Sequence, residues 1–298
     1  MKLYDCFMFY DEKLLLEIRF NILNKFVDKF IITEANYLHN GDSKKLNFNI
    51  NDFNEFKNKI EYIVVDNQPE DIQLIGKEDN ELAIDEKKII NSLKRENFQR
   101  EMISKGLTGL NKEDIILISD IDEIPNLIKL NPIEMNNEIV IFKQKMFYYK
   151  FNLFYENFNW FGSKAIKRKN FISPQWLRNI KNKKYPYWRV DTLLSKKKYN
   201  NIKFIEDGGW HFTCIKKPKE VHEKLSSYLH HQDFENSNLS FKDLENKMIN
   251  RELLYDHNKD KKNQNKWLTD KKLKTAEINL LPDFLKINKE KYNEWFVS

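Results

Sequence analysis

Cysteine is nearly absent: Cys6 and Cys214 are the only two in 298 residues. So wide a spacing implies no disulfide framework, and no C-x-x-C pair marks a zinc site. Glycine and proline are sparse too, seven of each, which excludes collagen-like, linker-like and glycine-rich repeat architectures. No stretch of about 18 apolar residues occurs, so no transmembrane segment is expected. The amino terminus carries Asp5 where a signal peptide needs an apolar run. A soluble, cytoplasmic protein is the expectation from these lacks. Neither sign of charge dominates: 51 Lys and Arg against 45 Asp and Glu leave +6. The excess is dispersed, which fits a solvated surface as well as an anionic partner and selects no class of partner. Also missing are the P-loop, the G-x-G-x-x-G fingerprint, the G-x-S-x-G elbow and the H-E-x-x-H zinc motif.

What is present points to a large core. Apolar residues make up 41% of the chain and aromatics 14%, with 22 Phe and 13 Tyr, which argues against disorder. The first 125 residues alternate strand and helix. Leu3 to Tyr10 reads as a strand. Glu12 to Phe26 reads as a helix with Leu15, Ile18, Ile22 and Phe26 on one stripe and Arg19 off it. Lys29 to Thr33 is a short β-branched strand ending at Glu34. Glu61 to Asp66 is another, and 67–82 is a polar loop. A helix over 86–106 stops at Gly106, and Asp114 to Ser119 is the clearest buried strand. Such alternation predicts an α/β fold with a mostly parallel central sheet flanked by helices. Ligands in such sheets bind beyond the carboxyl ends of strands, where Glu34, Asp66 and Asp120 fall. From Ile139 to Phe161 aromatics dominate. Two helices are expected over 218–231 and 241–256, then an exposed Lys/Asn-rich stretch over 256–274, then a return to the core at Leu281 to Leu285.

Three constellations offer chemistry. Asp120-Ile121-Asp122, with Glu123 beside it, follows the buried strand. Paired carboxylates there suit Mg²⁺ or Mn²⁺, which take one or two carboxylates and complete their shell with water and phosphate. A solvated turn fits the same residues. Gly208-Gly209-Trp210-His211 combines a tight turn, a flat indole on which a sugar could stack and an imidazole. A core turn with a satisfied histidine fits it equally. Gln99-Arg100 places a guanidinium fork, suited to a diphosphate, on the helix before the acidic turn. A surface arginine is the plain alternative. The aromatic run over 142–161 lacks the glycine and basic spacing of an RNA-recognition motif, so no nucleic-acid partner is expected.

The ordered segments YDCFMFYDEKLLLEIRFNIL (4–23), FVDKFIITEANYLHNG (26–41), ENFQR (96–100), DIILISDIDEIP (114–125) and GGWHF (208–212) resemble glycosyltransferase family 17. KLSSYLHHQDF (224–234) and LPDFLKIN (281–288) extend the resemblance over most of the chain. It implies a GT-A-type nucleotide-sugar fold in one catalytic domain. Residues 1–130 would form the nucleotide-sugar half, 131–215 the acceptor half and 216–298 a helical extension. It implies an inverting, metal-dependent transfer, with GlcNAc from UDP-GlcNAc moved onto a glycan acceptor. The bisecting reaction of the membrane-anchored animal member is not carried over. Cytoplasmic assembly of a surface glycan is expected instead.

By that resemblance the metal ligands are Asp120 and Asp122, with His211 as a third, and Glu123 stands beside them. Donor-binding positions fall on Asp5, Glu34, Asn36, Gln99, Arg100, Asp120, Gly209 and Trp210, and Lys145 adds positive charge. An inverting transfer needs a base on the acceptor hydroxyl. Asp207, next to the Gly-Trp-His turn, is the expected base, ahead of Glu206, Asp191 and His211. Acceptor contacts are expected from loops 67–82, 152–160 and 178–200. A metal-dependent nucleotidyl- or phosphotransferase, or a carbohydrate- or nucleic-acid-binding module with structural acids, are the competing functions.

Overall fold

The computed structural model describes residues 1–136, 138–185, 195, 198–227, 234, 237, 239–259 and 264–297. Strand β1 (Leu3–Met8) is buried at every position, Asp5 included. Burial on both faces is the mark of an interior strand in a sheet covered on two sides. Helix α1 (Lys13–Leu23) crosses to β2 (Lys29–Ala35), which lies parallel to β1, and β3 (Ile60–Val65) adds in parallel beyond it. Arg19, expected off the apolar stripe of α1, is completely buried. Helix α2 (Glu81–Glu101) begins five residues before the expected start at Glu86, because the Asn80 side chain caps it by accepting from the Ala83 amide. Its last turn tightens over Met102–Leu107. Strand β4 (Ile115–Ile118) then returns on the other side of β1.

After β5 (Glu123–Pro125) come β6 (Ile139–Phe142), β7 (Gln144–Tyr148), β8 (Leu153–Trp160) and β9 (Lys164–Lys167). Helix α3 (Pro174–Asn179), β10 (Ile202–Ile205), β11 (Gly209–Thr213), α4 (Pro218–Ser227), α5 (Phe241–Ile249), β12 (Lys274–Thr275) and α6 (Asp283–Ile287) follow. The larger sheet has the order β10-β6-β9-β4-β1-β2-β3. Strand β9 is antiparallel to both its neighbours, and the other pairs are parallel. The smaller sheet, β12-β8-β7-β11-β5, is antiparallel except between β7 and β11. The class is α/β, as the alternation predicts, and both sheets are mixed. Residues 152–160, expected as a loop, contain the whole of β8.

The stretch over 256–274 is not the exposed segment its composition suggests. Asp256, Lys266, Trp267, Thr269 and Leu273 are buried in it. Trp267 packs with Leu253, Leu254 and Tyr148 in one apolar cluster. Its polar side chains go inside because they are paired, Asp256 with Lys271 at 2.9 Å for example. Among the described residues no helix is long and apolar enough to cross a membrane.

Candidate active site

Strand β4 hands the chain to a turn over Ser119–Glu123, and the side chain beneath that turn is Arg19. Its guanidinium donates from Nε and Nη2 to the Asp5 carboxylate at 2.8 and 2.6 Å. Nη2 also donates to Ser119 Oγ at 2.6 Å. Nη1 donates to the Glu123 carbonyl at 2.8 Å and lies 3.2 and 3.3 Å from those of Asp120 and Ile121. A buried guanidinium needs a counter-charge and a full set of acceptors. Asp5 supplies the first and the turn supplies the rest. Asp5 therefore faces the interior and holds the turn through Arg19.

Glu123 is fully buried. It accepts from the Asp120 amide at 2.8 Å, from Trp160 Nε1 at 2.5 Å and from both Nη atoms of Arg178 at 2.7 and 2.8 Å. Gly162 is the residue that makes room, since a Cβ there would lie 1.9 Å from Glu123 Oε1. Asp120 is likewise committed: Oδ2 accepts from Arg178 at 2.6 Å and Oδ1 from Arg100 at 3.3 Å. Burial pushes its carboxyl up, but the two guanidinium groups outweigh burial and hold it below the usual range. Arg100 is buried and also donates to Gln175 at 2.6 Å and Glu96 at 2.6 Å.

Asp122 has a different setting. It lies at the cavity wall with His211 Nε2 3.5 Å from its Oδ1. Burial pushes its carboxyl up, yet the imidazole beside it prevails and takes it down to about 2. His211 is brought there by β11, which pairs with β5 so that His211 sits opposite Glu123. Gly209 permits the pairing, with φ at +130° and no space for a Cβ, which would come 2.2 Å from the Ile124 carbonyl. His211 stacks on Trp160 with ring centroids 4.6 Å apart, and its buried Nδ1 has no hydrogen-bond partner.

Asp122 and His211 open into a cavity of about 340 Å³. One wall comes from the carboxyl ends of the larger sheet: Phe9 and Tyr10 after β1, Tyr37 and His39 after β2, Asp120 after β4 and Gln99 from α2. The other wall is aromatic: Tyr148, Phe158, Trp160, Tyr255, His257 and Trp267. Lys224 of α4 lines the cavity and pairs with Glu12 at 3.0 Å. Four residues singled out from sequence thus meet at one cavity: Gln99, Asp120, Asp122 and His211.

The others lie elsewhere. Glu34 is enclosed, accepting from the amides of Asn47 and Phe48 at 2.7 and 3.0 Å and from Tyr62 at 2.8 Å. It folds the loop after β2 instead of facing the cavity. Asn36 links that loop through its backbone to Val65 and Lys44. Trp210 alternates to the opposite face of β11, donates to the Leu280 carbonyl at 2.6 Å and lines a separate cleft with Phe284 and Ile128. Trp160, and not Trp210, lines the cavity beside His211. Asp207 lies two residues before β11, bound by Lys145 and, at 3.3 Å, by Lys129. Neither Asp207 nor Lys145 lines the cavity, because the two satisfy each other at the protein surface. Glu206 pairs with Lys143. Asp191, His230 and His231 lie outside the described residues.

Sequence reasoning missed the aromatic wall. The run over 142–161 was a signal for Tyr148, Phe158 and Trp160. For Tyr255, His257 and Trp267 there was none, since they sit in a polar stretch. His257 is packed against Tyr255 at 4.4 Å and Phe158 at 5.1 Å between centroids, and its Nε2 meets the Tyr148 hydroxyl. Burial, then the nearby His211, lowers its pKa from 6.5 to about 3, against a weaker opposing pull from Asp256. The folded protein thus keeps this imidazole neutral where the unfolded chain takes a proton. Stability therefore falls as pH drops from 6.5 toward 3. At pH 5 this group alone is expected to cost about 2 kcal/mol relative to pH 7.5. Urea unfolding of the parent and His257→Gln at both pH values checks this. Parallel pH dependences in the two proteins would refute it.

No cluster of three or more His, Cys, Asp or Glu side chains that could hold a metal ion occurs among the described residues. Asp122 and His211 supply a carboxylate and a ring nitrogen side by side, enough for an ion that brings water and phosphate as its remaining ligands. Asp120, held by two guanidinium groups, lines the same cavity and adds negative charge beside them. The model of the family described as Glycosyltransferase family 17 matches residues 1–293. No curated protein and no solved structure matches the chain.

Proposed function

We propose that this chain, which belongs to glycosyltransferase family 17, binds a nucleotide sugar in the cavity beside Asp122 and passes the sugar to a hydroxyl of a glycan acceptor. In this reading the fold is of GT-A type, the donor is UDP-GlcNAc and the anomeric centre inverts. The observation that carries it is the place of Asp122: an ionised carboxylate facing a cavity at the carboxyl ends of β1, β2 and β4, where open α/β sheets bind nucleotides.

The nucleoside would lie along Phe9, Tyr10, Tyr37, His39 and Gln99. Gln99 is fixed for this by donating to the Thr33 carbonyl at 3.0 Å. Asp122 and His211 would hold a divalent ion, Mn²⁺ or Mg²⁺, which supplies positive charge for the diphosphate as the bond to the sugar breaks. Trp160 stacks on the imidazole and donates to Glu123, so His211 and the acidic turn are fixed by the same indole. Arg178 and Arg100 neutralise Asp120, which lowers the repulsion an incoming diphosphate would meet. Asp207 takes no part, being outside the cavity.

A thermal-shift panel of UDP, GDP, CMP and UDP-GlcNAc, each with and without Mn²⁺, tests the donor site. A ligand that binds only the native state raises stability by mass action. A Mn²⁺-dependent shift with UDP or UDP-GlcNAc, lost in Asp122→Ala, is expected. A well-folded protein that no nucleotide stabilises would overturn the reading. Transfer of a nucleoside monophosphate with no sugar moved would replace it with nucleotidyl transfer.

A further inference from the structure

The aromatic wall of the cavity is unused by the donor as placed above. Phe158, Trp160 and Tyr255 keep partly exposed rings there, backed by the buried Tyr148 and Trp267. The carbon-bound hydrogens on a face of a pyranose form an apolar patch that packs on such rings, while its hydroxyls need polar partners. Two buried nitrogens in residues of this region lack a partner: Nε1 of Trp267 and Nδ1 of His211. The carboxylates on this side are paired: Asp256 accepts from Lys271 at 2.9 Å and from the Asn258 amide at 3.1 Å, and Glu12 pairs with Lys224 at 3.0 Å. Lys259 donates to the Asn265 carbonyl at 2.9 Å and lines the cavity with Lys266. Such a wall offers rings for the face of a sugar and polar groups for its hydroxyls. Trp160, stacked on His211, sets it next to Asp122.

We infer that this wall is the acceptor subsite and that it takes a pyranose ring, stacked on Phe158, Trp160 and Tyr255 beside Asp122. The inference rests on the donor placement above for the word acceptor, and on the wall itself for the sugar. Nucleobases also stack on aromatic side chains, so the test must separate the two ligands.

Saturation-transfer NMR without nucleotide provides it. The probes are methyl glycosides of glucose, galactose, mannose, GlcNAc and glucuronic acid. They are titrated to about 50 mM, where millimolar affinity registers. Proteins are the parent, Tyr255→Ala and Phe158→Leu, two partly exposed positions, and each also goes through the UDP thermal shift. At least one glycoside is expected to bind, with roughly tenfold weaker affinity in both variants, as expected for loss of a stacking ring. The UDP shift is expected to stay unchanged. No glycoside binding, or binding unaffected by both substitutions, would overturn the inference. Loss of the UDP shift in otherwise folded variants would also overturn it, by giving the wall to the nucleotide. Glycoside binding by a parent protein that UDP never stabilises would support the sugar subsite and sink the transferase reading instead.

Discussion

Asp122→Asn is expected to lower sugar transfer by about 10²- to 10³-fold, the usual loss when one group stabilising the departing charge is removed. Its melting temperature should fall less than that of Asp120→Asn, since its close partner is one imidazole at 3.5 Å and not two guanidinium groups. Neighbouring acids predict a different pattern. Asp120→Asn strips Arg178 and Arg100 of a shared counter-charge, so it should cost stability as well as activity. Asp207→Asn should leave transfer within about twofold, as surface substitutions remote from a site usually do. Steady-state rates with UDP-GlcNAc, alongside melting curves for all three, decide the matter. If Asp207→Asn is the dead enzyme and Asp122→Asn the active one, the expectation from sequence stands and the cavity is misassigned.

Arg19→Met is expected to destabilise the fold by about 3–5 kcal/mol, the cost of leaving one member of a buried ion pair uncompensated. Asp5→Leu should cost about as much for the same reason. The double variant should lose much less than the sum, because no unpaired buried charge remains. The reason is geometric. Both side chains are fully buried, and the guanidinium also holds Ser119 and the carbonyl of Glu123. In the double variant the acidic turn loses those links, so nucleotide binding should weaken even where stability recovers. A urea double-mutant cycle measures the coupling. Additive losses would mean that the pair does not act as a unit.

Much of the frame is legible in the chain itself. Strand β4 announces itself by a continuous apolar run, β1 by one broken only at Asp5, and α1 by spacing, because burial of a strand or helix face is a local property of composition and period. The acidic turn after β4 is legible for the same reason: carboxylates directly behind a buried strand mark where the chain leaves the sheet. The ordered motifs resemble the family that the match over residues 1–293 shows.

What a carboxylate does after that turn is not local. Asp120, Asp122 and Glu123 are near neighbours in sequence, yet only the approach of Arg178, Arg100, Trp160 and His211 from distant segments separates them. Glu123 becomes an anchor, Asp120 is shared between two guanidinium groups and the cavity, and Asp122 meets His211 there. Asp5 and Glu34 look like ligand-binding strand ends until Arg19 and the amides of Asn47 and Phe48 enclose them. The same holds for Trp210, turned away by the two-residue alternation of β11, and for Trp267, drawn inside from a stretch whose composition is polar. Sequence by itself determined the α/β class, the family and the position of the acidic turn. Tertiary structure decided which charges are spent on one another and which face the cavity, because desolvation and pairing depend on partners that arrive from far along the chain.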